Sequence, residues 1–157
     1  MTQASLITDE LRAAIGRESP AVTYEVDNLG CRQFARAVGY TDPVYYDEEY
    51  ARGQGFRGIV APVGFLGHPV YNPAKPSRGP ETPGLNIPLK RVLNGGTDIE
   101  YLDDICAGDV LTATMKVSDI QEREGRMGVM LIVSTETTFR NSAGKTVAIL
   151  RGTVIRY

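Results

Sequence analysis

Alternation with a period of two dominates the last third of the chain and constrains its fold more than any other feature. Leu111, Ala113, Met115 and Val117 alternate with Thr112, Thr114, Lys116 and Ser118. Met127, Val129, Leu131 and Val133 alternate with Gly128, Met130, Ile132 and Ser134, and a third run follows from about Thr146 to Tyr157. Residues Glu122 to Gly125 and Asn141 to Gly144 supply the turns, so the pattern predicts an antiparallel meander. Strands of roughly 12 residues reach about 40 Å at 3.3 Å per residue, whereas a domain of this size has a radius of gyration near 15 Å. Such strands must curl. One helix lying in the concave face fills the curl economically. The class expected is α+β, a long curved antiparallel sheet around a central helix.

Upstream, Thr8 is placed to cap a short helix ending at about Ile15, with Gly16 stopping it. Residues Val22 to Val26 alternate as a short strand. Asp27 then reads as the N-cap of a helix to about Val38, whose stripe pairs Cys31 with Ala35 and Phe34 with Val38, and Gly39 takes the position past its end. Gly39 to Asp47 makes a tight loop in which Pro43 forces Asp42 out of the helical region and three tyrosines crowd together. Asp47 caps a last short helix, Glu48 to Arg52. Between residues 69 and 88 stand Pro69, Pro73, Pro76, Pro80, Pro83 and Pro88, through which no helix runs.

At 157 residues the chain makes one domain, residues 1–157. Its 42% apolar content excludes disorder, and the net charge of −2 excludes a generally basic nucleic-acid binder. No apolar run is long enough for a membrane span, and MTQASLITDELRAAIG lacks the pattern of an export signal, which predicts a cytoplasmic protein. Cys31 and Cys106 have no metal or redox spacing and read as two buried thiols in a reducing compartment. The chain holds a single histidine, His68, so any mechanism with two imidazoles must borrow one from another chain.

Motifs for other chemistries fail on context. Gly53-Gln54-Gly55-Phe56-Arg57-Gly58 has the spacing of a dinucleotide fingerprint, but it follows a helix, and Pro62 stands four residues beyond it. Its glycines read as turn residues. His68 has no ligand-type neighbour three or four residues away and reads as a loop or core residue. Asp98, Glu100, Asp103 and Asp104 read as a solvated edge rather than a metal site.

The order of several segments carries a resemblance. ELRAAIGRESPAVTYEV, TDPVYYDEEYARGQGFRGIVAP, GGTDIEYL, AGDVLTATMKV and ILRGTVIRY follow one another as in the MaoC-like hydratase/dehydratase family, N-terminal dehydratase type, which resembles a fatty-acid-synthase domain. The resemblance implies a hot-dog fold over nearly the whole chain. In catalytic members the loop reads G-D-x-N-P-[LI]-H-x-D, and its Asp and His handle the water and the α-carbon proton of an acyl thioester. Here Gly39, Pro43 and Asp47 match, and Asp42 stands in for the asparagine. The aspartate position holds Tyr40 and the histidine position Tyr45, so neither catalytic residue is retained. A second departure follows Ala61-Pro62, where members continue into the central helix. The prolines predict that this helix is shortened or displaced, leaving room for a bulky or long acyl group.

Members of this family work as pairs with one sheet continuing across both. The resemblance therefore implies a non-catalytic, substrate-pocket subunit of a heteromeric (R)-specific 2-enoyl-CoA hydratase or 3-hydroxyacyl thioester dehydratase, partnered by a MaoC-like subunit that brings the Asp/His pair. No catalytic residue and no metal ligand is assigned to this chain. Expected pocket residues are Tyr40, Asp42, Tyr45, Val63, Gly64 and Phe65, with the Gly64 N–H facing the thioester carbonyl. No cofactor is implied, the substrate being an acyl-CoA or acyl-carrier-protein thioester; the 13 arginines among 17 basic residues suit coenzyme A phosphates. Two alternatives stand beside this: a stand-alone hydratase or thioesterase using Asp42 or His68, and a homodimeric acyl-CoA-binding module without turnover.

Overall fold

The computed structural model describes residues 5–74, 79–81, 85–126 and 128–157. Met127, Pro76 and Pro83, and the first four residues of the opening segment, lie outside the described residues. The elements are α1 (Asp9–Ala14), β1 (Val22–Glu25), α2 (Asn28–Val38), α3 (Glu48–Gly53), β2 (His68–Pro69), β3 (Val92–Tyr101), β4 (Val110–Gly125), β5 (Gly128–Arg140) and β6 (Thr146–Arg156), with a 3-10 turn at Pro43–Tyr45. Six strands form one antiparallel sheet in the order β2-β1-β4-β5-β6-β3. The sheet curls as the strand lengths require, and the fold is the α+β hot-dog.

The curl has an identifiable device. On β4 the inward side chains are Leu111, Ala113 and Val117, but the next buried residue is Ile120. A bulge between Val117 and Asp119 inserts the extra residue, bends the strand and changes the parity. Two apolar clusters fill the concave side. Under α2, Cys31 meets Ile59, Phe65, Leu111, Ala113, Phe139 and Ala148, with Phe34 packed against them. Under α1, Leu11 meets Val117, Ile120, Leu131 and Val133, and the extended segment carrying Leu85, Ile87 and Leu89 packs alongside. Each fully buried aliphatic side chain contributes about 1.5–3 kcal/mol, so the two clusters dominate stability. Both cysteines are buried and free, and burial pushes the Cys31 thiol up to about 12.

The capping residues act as their sequence positions predict. Asp27 accepts from the Gly30 N–H at 2.7 Å, and Asp47 from the Tyr50 N–H at 3.0 Å. Gly39, at φ +79°, ends α2: its N–H reaches the Arg36 carbonyl while the Tyr40 N–H reaches that of Ala35. This paired closure needs the left-handed conformation and sets Tyr40 directly after the helix.

Gly64 and Gly67, at φ +98° and +89°, turn the chain where the resemblance implies the central helix. The Phe65 N–H bonds the Pro62 carbonyl at 2.9 Å, closing a tight turn with glycine at its third position. Among the described residues no helix lies between Pro62 and β3. The prolines matter less than expected, because the two glycines have already turned the chain before Pro69. No helix among the described residues is long and apolar enough to cross a membrane.

Arg57 fastens the glycine-rich loop to the turn before β4. Its guanidinium binds both oxygens of Asp109, at 2.5 and 2.8 Å, and the Asp104 carbonyl at 3.0 Å, while Asp109 also accepts the Cys106 N–H. Burial by itself raises the Asp109 carboxyl, but the Arg57 and Cys106 hydrogen bonds outweigh it and hold the group below its ordinary range. A depressed carboxyl stabilises the fold at pH values above the unfolded value of about 3.9, and that stabilisation is lost as pH falls through the folded value. Asp109→Asn is therefore expected to lower stability at neutral pH and to flatten its decline below about pH 4. Urea titrations across pH check both signs.

Candidate functional site

The site grows from three chain segments held by backbone bonds. Asp42, in extended conformation before Pro43, accepts the Val44 N–H at 3.0 Å and so starts the 3-10 turn. The Val60 N–H bonds the Val44 carbonyl at 3.0 Å, and the Ala61 N–H bonds that of Ile105 at 2.8 Å, tying this turn to the segment entering Pro62. The Tyr46 hydroxyl donates to the Tyr40 carbonyl at 2.5 Å, and Arg32 Nε donates to the Tyr46 carbonyl at 3.2 Å.

These bonds bring the Tyr40 and Tyr45 rings to 5.6 Å between centroids, tilted by 30°. These are the two loop positions at which the resemblance implies an Asp and a His. Burial raises the Tyr45 hydroxyl above its usual value, and Asp42 and Tyr40 raise it further. An ordinary tyrosine is already about 3 units above neutral pH, so forming tyrosinate costs about 4 kcal/mol, and this environment makes it harder. Tyr45 is therefore a poor general base at pH 7. Tyr45→Phe is accordingly expected to change turnover of any complex containing this chain by less than about threefold; a loss near 10³-fold would assign it acid–base chemistry.

Gly64 joins the tyrosines through a residue that sequence reasoning missed. Its N–H donates to the Tyr101 hydroxyl at 2.8 Å. Burial pushes Tyr101 up, the Gly64 N–H partly counters it, and Tyr40 adds to the rise. Tyr101 is the last residue of β3 and shares the inward parity of Ile99, while Asp98 and Glu100 point outward. That alternation was the available signal.

The other expected pocket residues separate. Val63 is exposed beside Gly64. Phe65, only 6% exposed, lies in the core against Phe34 and against His68, with ring centroids 5.6 and 5.1 Å away. Asp42 faces solvent, with one carboxylate oxygen engaged as a cap.

His68 lies on β2 opposite Glu25, mostly exposed, its Nε2 3.8 Å from Asp27 Oδ2. It stands at the opposite end of α2 from Tyr40. Nearby, Glu25, Asp27 and Asp109 line an open cleft of about 380 Å³, whose acidity disfavours an anionic thioester carrier. Glu100 and Asp103 are exposed and paired with Arg151 and Lys145, each at 2.8 Å.

Comparison with known proteins agrees with this geometry. The chain is 34% identical over 142 residues to a UPF0336 protein of Clavibacter michiganensis, covering 89% of this chain and 91% of that one. It is 27% identical over 137 residues to a probable enoyl-CoA hydratase alpha subunit of Thermomonospora curvata, covering 80% of this chain and 43% of the relative. Among solved structures, a MaoC-like dehydratase superposes with a TM-score of 0.75 at 25% identity, over 97% of this chain and 43% of that one. The HadBC (3R-hydroxyacyl-ACP dehydratase) complex of Mycobacterium tuberculosis superposes at 0.68 with 22% identity, over 90% and 96%. The ChsH1–ChsH2 complex of the same organism superposes at 0.70 with 18% identity, over 94% and 87%. Residues 13–150 match the family described as FAS1-like, dehydratase domain region, and the chain belongs to that family of MaoC-like dehydratases.

Proposed function

We propose that this chain is the non-catalytic, substrate-pocket subunit of a heteromeric (R)-specific 2-enoyl thioester hydratase or 3-hydroxyacyl thioester dehydratase. One observation carries the reading: the family scaffold is intact, yet the loop positions at which the resemblance implies an Asp and a His hold Tyr40 and Tyr45, with ring centroids 5.6 Å apart and the Tyr45 hydroxyl raised above its usual value. A second MaoC-like hot-dog subunit supplies the Asp/His pair. This chain contributes walls for the acyl group, and its substrate is a thioester of coenzyme A or an acyl carrier protein. The similar structures named as HadBC and ChsH1–ChsH2 complexes, and the relative named as an alpha subunit, support a heteromer. The pair works in the cytoplasm, where two buried thiols stay reduced.

The edge strand β3 suits the partner. It ends the sheet order, runs for ten residues, and leaves Val92 and Leu93 exposed at 52% and 46%. A ten-residue edge that opens on two exposed apolar side chains, with one side of its backbone unpaired, suits a covering strand. Tyr101, at the end of this strand, brings the tyrosine cluster next to that seam.

Co-expression with a subunit carrying G-D-x-N-P-x-H tests the pairing. The expected outcome is a stoichiometric complex that survives gel filtration, weakened when Leu93 is replaced by Glu. Separate elution of the two chains contradicts it, and leaves a binding module without turnover as the better account.

A further inference from the structure

Tyr101 has one hydrogen bond made and one unmade. Its oxygen accepts the Gly64 N–H, while its own proton meets no acceptor among the described residues. The hydroxyl is half-buried and lies beside Tyr40, which stacks on Tyr45. Gly64 is held in place on both sides. Its positive φ belongs to the Pro62–Phe65 turn, and a Cβ there would come within 3.1 Å of the Phe34 ring. The N–H expected to face a thioester carbonyl is thus already occupied, and the nearest free donor is one atom further out. An amide that donates to a hydroxyl oxygen polarises that O–H and makes it a better donor in turn.

We propose that the Tyr101 hydroxyl, relaying the Gly64 N–H, is the hydrogen-bond donor to the carbonyl oxygen of the acyl thioester. The phenol O–H lies in the ring plane in either of two orientations and presents its proton to a neutral acceptor, whereas Tyr40 and Tyr45 supply ring surface. Tyr101 is in this account a substrate-orienting residue and performs no proton transfer. The proposal rests on the acyl-thioester reading above and adds the residue that recognises the carbonyl.

The test compares two ligand series on the protein with its partner subunit: acyl-CoA thioesters from butyryl to palmitoyl length, and matched S-alkyl-CoA thioethers that lack the carbonyl oxygen. Calorimetric titration is expected to give the wild type a preference for thioester of about five- to tenfold, the worth of one net hydrogen bond. Tyr101→Phe should abolish that preference and leave thioether affinity unchanged. A variant that keeps the preference, or loses affinity equally for both series, overturns the assignment of Tyr101 alone. Failure of the wild type to bind either series overturns the acyl-thioester reading with it.

Discussion

Gly67→Ala is expected to destabilise the protein by about 3 kcal/mol, lowering its melting temperature by about 6–12 °C for a domain of this size. Two costs combine. The φ of +89° at Gly67 is a left-handed conformation that costs an L side chain about 1–2 kcal/mol. A Cβ placed there would also lie 2.7 Å from the Glu25 carbonyl oxygen and 3.0 Å from its carbon. That obstacle is backbone and cannot rotate away. Glu25 is pinned by pairing with Val110 on β4 and with His68 on β2, so β1 or β2 must shift as a unit.

Gly55→Ala is the control that separates the two costs. Gly55 has a similar φ of +93°, with open space where the Cβ would go. It should lose only the conformational part, about 1–2 kcal/mol. Thermal unfolding of both variants decides the matter; equal losses would mean that the close approach of Gly67 to β1 contributes nothing.

The sequence announced its elements wherever local chemistry determined them. Asp27 and Gly39 bound α2 because a capping carboxylate and a left-handed glycine act over a few residues. The alternation on β4 and β5 likewise marked strands whose inward residues Leu111, Leu131 and Val133 are buried. The misses share a different cause. Glu122 to Gly125 reads as a turn, yet β4 continues through it, with Arg123 opposite Met130 and Gly125 opposite Gly128. Ladder hydrogen bonds accept charged residues on an exposed hairpin as readily as apolar ones. The bulge at Val117 and Asp119 answers to the curvature of the whole sheet, which no short window of sequence records. Similarly, Tyr101 meets Gly64 only through the pairing of β3 with β6, 37 residues away along the chain from its hydrogen-bond partner.

For the site itself, the two loop tyrosines were legible and their physical setting was not. Tyr40 and Tyr45 are visible in the loop as replacements. Only the fold reveals that burial, Asp42 and a stacked neighbour raise Tyr45, which makes its tyrosinate harder to form. Likewise, Phe65 looks like a pocket residue from its place after Pro62, but the turn at Gly64 directs it into the core.

The larger effect is expected in turnover. At pH 7 an unshifted tyrosine is ionised to about one part in 10³, and Tyr45 is shifted away from ionisation. General acid–base catalysis contributes about 10²–10⁴-fold, so a chain without it falls short of its family's rate by at least that factor. Under the proposed pairing, a partner bringing an aspartate and a histidine should restore the missing factor.

The most direct measurement is steady-state hydration of trans-2-enoyl-CoA substrates, from crotonyl-CoA to palmitoyl length, by this chain alone, by the Asp/His-bearing subunit alone, and by their complex. The account predicts no turnover above buffer for this chain alone, and a complex that exceeds it by about 10³-fold or more. Hydration by this chain alone at ordinary enzyme rates, about 1–10³ per second, would contradict it.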